Sequence, residues 1–142
     1  MEKPIGSRKN FADSEETLVS EFMELVQDIL HIDDVQELRD YVQHCKTTRL
    51  QHCVNVAYYT FLISRRLELN VRSATRGALL HDFYLYDWKN NEQPIEGRHS
   101  VVHPQVALAM AKQYTQVDPI MEDCILNHMW PMSRQRPQTK EG

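Results

Sequence analysis

Leu18, Phe22, Leu25 and Ile29 recur at steps of four, three and four residues, the spacing that lines one face of a helix with about 3.6 residues per turn. A first helix is therefore expected from Asp13 or Ser14, with Glu15 and Glu16 in a first turn where acids suit the helix dipole. A short second helix is expected from about Asp33, with Val35, Leu38, Tyr41 and Val42 turned inward. Thr47 or Thr48 can cap a third helix that runs to about Leu69. Leu50, Val54, Ala57 and Phe61 form one apolar row of it, and Val56, Tyr59 and Ile63 a second, the pattern of a central, buried helix. A fourth helix starts near Ser73 and passes through Ala74, Ala78, Leu79 and Leu80 to His81; its small residues let a neighbour come close. Residues 86–99 hold Pro94 and Gly97 among polar residues and read as a loop. His103-Pro104 opens a fifth helix and Asp118-Pro119 a sixth, each with proline at the first helical position. Val106, Ala107, Met110 and Tyr114 face inward from the fifth, and Met121, Cys124, Ile125 and His128 from the sixth. No segment alternates with period 2 over a useful length. The expected fold class is all-α, a compact bundle of about six helices.

Composition narrows the class without changing it. A chain of 142 residues predicts one domain, large enough for one core. That domain is expected over residues 13–132, after a poorly ordered stretch at 1–12 and before a polar tail at 133–142. No apolar run is long enough to span a membrane, and no apolar stretch follows the first charges as in a secretory signal. Cys45, Cys53 and Cys124 are an odd number without a close pair, so neither a disulfide framework nor a thiolate metal site is expected, and a reducing, cytoplasmic compartment is the simplest home. Residues 1–45 carry net charge −7 and residues 46–142 net +3. That modest excess is not the basic stripe of a duplex-binding surface. It suits a local pocket for a small phosphorylated molecule. Assembly into a homo-oligomer is compatible with all of this.

The seven histidines carry the functional signal. His52 lies within the third helix, His81 and Asp82 end the fourth, His103 begins the fifth and His128 ends the inner face of the sixth. Burying several such groups without partners costs about 1–3 kcal/mol each. One shared partner that satisfies them all is a divalent metal, whose ligands are neutral imidazole and ionised carboxylate. Asp82 has two oxygens and can bridge two ions. A nitrogen and oxygen donor set suits Fe, Mn, Co, Ni or Zn. His31 and His44 read as surface residues, and Cys53 as a small core residue. His99, one turn from His103, reads as a ligand, a supporting partner of one, or a loop residue. Arg49, three residues before His52, and Lys89 and Arg98, in the loop after the His-Asp pair, are the candidate substrate cations. Phe83, Tyr84, Tyr86 and Trp88 read as packing at a helix end, with base stacking as the alternative.

The order His52, His81-Asp82, His103-Pro104, His128 resembles the HD superfamily of metal-dependent phosphohydrolases, and within it a small bacterial branch. The segment ATRGALLHD at 74–82 is the most specific part; the segments His99 to Leu108 and His128 to Pro131 are similar to the branch's later histidine regions. The resemblance covers about residues 46–132. It implies an all-α fold, one or two divalent metals and hydrolysis of phosphomonoesters or phosphodiesters, often of nucleotides. It also implies that His52, His81 and Asp82 are ligands of a first metal, that His103 and His128 are ligands of a second, and that His81 and Asp82 form the catalytic pair. The chain departs from the pattern twice. No Asp follows Asp123, where the family closes its first site with a distal Asp, so the chain is expected to stop short of a further helix. Tyr84, Leu85 and Tyr86 also stand where a Lys often follows the His-Asp pair.

The function expected is hydrolysis of a nucleotide-type phosphoester by a metal-activated water. A non-catalytic, metal-stabilised nucleotide-binding or signalling domain with a degenerate site is the alternative. A plain helical scaffold requires the histidines to be coincidental.

Overall fold

The computed structural model describes residues 15–44, 46–90 and 92–142. Among the described residues are six α-helices: α1 Glu15–Leu30, α2 Asp33–Gln36, α3 Arg49–Arg66, α4 Val71–Leu80, α5 His99–Tyr114 and α6 Pro119–Leu126. Short 3-10 turns sit at Glu37–Asp40 and Trp88–Asn90, and β1 Val42–His44 pairs antiparallel with β2 Thr47–Thr48. The all-α class therefore holds, with one small ladder added. The stretch expected to be poorly ordered, residues 1–12, lies outside the described residues, as do Asp13, Ser14 and Cys45.

Local chemistry sets the helix starts. Thr48 caps α3, its hydroxyl accepting from Gln51 N at 3.1 Å. Asn70 caps α4 through Ser73 N at 3.1 Å, and Asp118 caps α6 through Met121 N at 2.8 Å. The α3 helix stops at Arg66, short of the expected Leu69, because Glu68 turns left-handed at φ 55°. Leu69 N then donates to Ser64 O and Glu68 N to Arg65 O, a paired closure of a helix C-terminus.

The core is built from α1, α3, α4, α5 and α6. Leu18, Phe22, Val26 and Ile29 of α1 share one buried cluster with Leu50, Val54, Ala57, Tyr58 and Phe61 of α3, in which Phe22 meets Tyr58 and Phe61. Val26 takes the place expected of Leu25, which is only partly buried, since steps of four, four and three keep the row on one line. The second apolar row of α3 is not buried: Val56 is half-buried, Tyr59 is 37% exposed and Ile63 57%. Helix α3 thus keeps one face open, while its other side packs on α4 more extensively than any other pair of helices does among the described residues. Val42, expected inward, is exposed on β1, and Tyr114, expected inward, is exposed at the end of α5.

Helix α5 begins at His99, four residues before the expected start, so Pro104 lies inside it. Only Ala107 of its expected inner residues is fully buried, joined there by Val102, His103, Pro104 and Ala111. Helices α4 and α6 approach closely at Gly77, where an added Cβ would sit 2.9 Å from Cys124 Cβ and 3.3 Å from Met121 Cα. Arg76 of α4 ties three elements together. It binds both Asp28 oxygens, Leu25 O and Thr115 Oγ1 at 2.7–3.1 Å.

Candidate metal centre

Helices α3, α4, α5 and α6 each deliver one part of the predicted cluster to a common point. Asp82 follows α4 directly and is buried. Its Oδ2 lies 3.4 Å from His52 Nε2 and 3.2 Å from His81 Nε2. Its Oδ1 lies 3.3 Å from His103 Nε2 and 3.5 Å from His128 Nε2. The imidazoles are themselves paired: His52 and His81 Nε2 are 3.3 Å apart, and His103 and His128 Nε2 are 3.0 Å apart. Two triads result, His52–His81–Asp82 and Asp82–His103–His128, with one carboxylate shared between them.

These separations fit a cation. Two donors that each lie about 2.0–2.2 Å from an ion in a tetrahedral or octahedral shell are roughly 3.0–3.5 Å from one another. Ring chemistry points the same way. His81 Nδ1 meets Ala78 O at 2.6 Å, His103 Nδ1 meets His99 O at 2.6 Å and His128 Nδ1 meets Ile125 O at 2.7 Å. A carbonyl only accepts, so each Nδ1 carries a proton and each ring turns its Nε2 to the centre. Such backbone support of the far ring nitrogen is the usual company of metal-binding histidine. Nε2 atoms that face one another across 3.0 Å beside a carboxylate need positive charge between them, as protons or as a metal ion. Burial would raise the Asp82 carboxyl, but the His81 charge and hydrogen bonds from His103, His128 and His52 hold it well below the usual carboxylate range.

His99 does not join the donor set. Its ring stacks on His103 at 4.3 Å and 21°, and Trp88 stacks on its other side at 4.4 Å and 16°. Burial, then the charge of His103, lowers its pKa to about 4. His99 therefore stays neutral and supports the His103 ring by its face and by its carbonyl.

Arg49 does not stand free as a substrate cation. It is 2% exposed, and its Nη1 donates to Tyr84 O at 2.5 Å and Tyr86 O at 3.2 Å. Its guanidinium lies 3.7 Å from the Tyr84 ring centre and 4.5 Å from that of Tyr41. It clamps the turn that follows Asp82 to the start of the helix that carries His52. Tyr84, in turn, packs against His103 with ring centres 5.4 Å apart. Phe83, Tyr84 and Tyr86 are buried, so the packing reading of the aromatic group holds for them, while Trp88 is 41% exposed. Lys89 and Arg98 are exposed. Asp123, the last Asp of the chain, belongs to neither triad. Its oxygens accept from Asn127 Nδ2, Gln138 N, Thr139 N and Thr139 Oγ1 at 2.8–3.0 Å. Residues of the polar tail are thereby latched to α6.

Sequence reasoning missed the three carbonyls that aim the rings and the Tyr84 partner of Arg49. The signal that could have found the former is spacing: each carbonyl lies three or four residues before its histidine in the same helical segment.

The HD domain family model matches residues 49–142, well over half of the chain. The chain belongs to the HD domain family. HD domains bind divalent metals, and the family is known for metal-dependent phosphohydrolases; both buried triads lie inside the matched segment. The HD domain here is 31% identical over 87 residues to a ribonuclease Y of Petrotoga mobilis, covering 54% of this chain and 16% of that protein. It is 33% identical over 93 residues to a ribonuclease Y of Fervidobacterium nodosum, covering 66% of this chain and again 16% of that protein. The chain thus spans about 16% of the length of these curated relatives. No solved structure matches it. No helix among the described residues is long and apolar enough to cross a membrane.

Proposed function

We propose that this HD domain hydrolyses a phosphomonoester or phosphodiester of a nucleotide-type substrate. In this reading His52, His81 and Asp82 hold one divalent cation, and Asp82, His103 and His128 hold a second. The observation that carries it is the split carboxylate: each Asp82 oxygen faces its own pair of imidazole nitrogens. A bound divalent cation supplies an activated water and neutralises charge that grows on the phosphoryl oxygens. The chain does the rest. Asp82 stays ionised at neutral pH, and the carbonyls of Ala78, His99 and Ile125 keep three rings in one tautomer with the lone pair inward. Tyr84 and the His99–Trp88 stack cover His103 and keep water from its face. Lys89 and Arg98 are the cations that would meet the outlying phosphate oxygens, with Arg49 holding the site rather than the substrate. That both relatives are named ribonucleases supports a nucleotide phosphodiester as the substrate class. A reducing, cytoplasmic setting goes with the free thiols of Cys53 and Cys124.

The test is metal content by elemental analysis, read with turnover of bis-p-nitrophenyl phosphate and a dinucleotide. Purified protein is expected to carry transition metal. Asp82→Ala is expected to lose that metal and to lower turnover at least a hundredfold. Turnover that survives Asp82→Ala at the wild-type rate rules the reading out. A second reading is a metal-stabilised nucleotide-binding domain without turnover, for which each triad offers three protein donors among the described residues and no fourth. Metal binding with no hydrolysis across the phosphoester panel would select it.

A further inference from the structure

A pocket of about 560 Å³ opens between the first turns of α5, the end of α6 and residues 132–135. That volume lies within the roughly 300–1,000 Å³ usual for small-molecule sites. Pro104 and Asn127 line it, and they are the chain neighbours of His103 and His128, so the pocket adjoins the segments that carry the second histidine pair. Its charged lining is Arg98 and Arg134, with no Asp or Glu. In a chain of net charge −4 this is a local reversal of sign. Both guanidinium groups are exposed and neither is held in an ion pair among the described residues. Val101, Pro104, Leu126 and Met132 supply its apolar walls, and two of these are open: Val101 is 44% exposed and Met132 66%. The Ser133 hydroxyl, buried in the pocket lining, has no hydrogen-bond partner among the described residues.

Each feature answers a part of one ligand. Paired guanidinium forks match phosphate oxygens. Open apolar side chains offer a surface to the face of a base, and the amides of Gln105 and Gln135 on the pocket wall can meet its polar edge. We propose that this pocket is a second nucleotide subsite, with phosphate on Arg98 and Arg134 and the base against Val101 and Met132. A substrate longer than one nucleotide would then be held by one unit while the centre acts on the neighbouring bond. That last step rests on the phosphohydrolase reading; the binding of a nucleotide in the pocket does not.

The experiment is titration of the full chain, uniformly labelled with nitrogen-15, with AMP and separately with inorganic phosphate, followed by NMR. AMP is expected to shift the backbone amides of Ser100, Val101, Ser133 and Arg134, in the wild type and in Asp82→Ala alike. Arg98→Ala combined with Arg134→Ala should weaken AMP at least tenfold with the circular dichroism spectrum retained. Arg134→Gln alone should weaken it at least threefold, and serves if the double variant fails to fold. Inorganic phosphate should bind at least fivefold more weakly than AMP. Shifts confined to residues beside the histidine cluster, an AMP affinity indifferent to both arginines, or phosphate equal to AMP would overturn the subsite and leave the phosphohydrolase reading standing. A chain that shows the pocket shifts yet hydrolyses no phosphoester would keep the subsite and remove that reading.

Discussion

Arg49 is held by groups far from it along the chain. Its position one turn before His52 is plain in the sequence, and so is its charge. Its partners, the carbonyls of Tyr84 and Tyr86, lie 35 and 37 residues away, and no local pattern announces them. Lysine carries a compact ammonium that cannot serve two carbonyls and two aromatic faces as a planar fork does. Arg49→Lys should therefore loosen the turn after Asp82 and weaken metal binding about ten- to a hundredfold, the usual effect of losing an outer partner. Competition with a chromophoric chelator measures this, and the visible spectrum of a cobalt-loaded sample would change with it. Unchanged affinity and spectrum would reduce the clamp to packing. The five predicted donors, by contrast, were legible because each interrupts an apolar face, and polar interruptions on four helices have few cheap explanations.

At the level of elements, capping residues and apolar rows gave the helices, and two long-range facts hid the errors. Helix α5 starts at His99 rather than at His103, so the proline that suggested a start is an interior residue. That extra turn places His99 four residues below His103, where its carbonyl can steer the ring. The second row of α3 looked buried because apolar side chains do not report whether a neighbour exists to cover them. The small residues of α4 were a better guide, since Gly77 sits against Cys124 and Met121. Gly77→Ala should gain about 1 kcal/mol of helix propensity and lose about 1–3 kcal/mol to overpacking. The net expectation is a melting temperature lower by a few degrees, together with weaker metal binding, because α4 and α6 lead into three of the five donors. A melting temperature at or above the wild-type value would show that the two helices can part without cost.

Across the whole molecule, the segment read as a bare polar tail is tied down by Asp123. Burial would raise the Asp123 carboxyl, yet hydrogen bonds from Gln138, Asn127 and Thr139 lower it below 3.8. A carboxyl depressed in the folded chain favours folding above its ordinary pKa, and that support fades as pH falls through the folded value. The wild type should accordingly lose thermal stability below about pH 4. Asp123→Asn should melt lower at pH 7 and lose less on acidification. Parallel melting curves for the two proteins between pH 6 and pH 2.5 would refute the latch. Sequence could not disclose it, because two of the four donors are backbone amides, which every residue but proline owns, and the tail donors lie 15 and 16 residues from Asp123.

The rings of His81, His103 and His128 are each steered by an oxygen three or four residues earlier in their own segment. Orientation is thus inherited locally, and only the meeting point of the segments is left to long-range packing. A lineage could exchange most of its interior and keep its aim, provided those short backbone spans survived. A designer who grafts these spans onto a foreign bundle would import three pre-set donors at once, with only their convergence left to engineer.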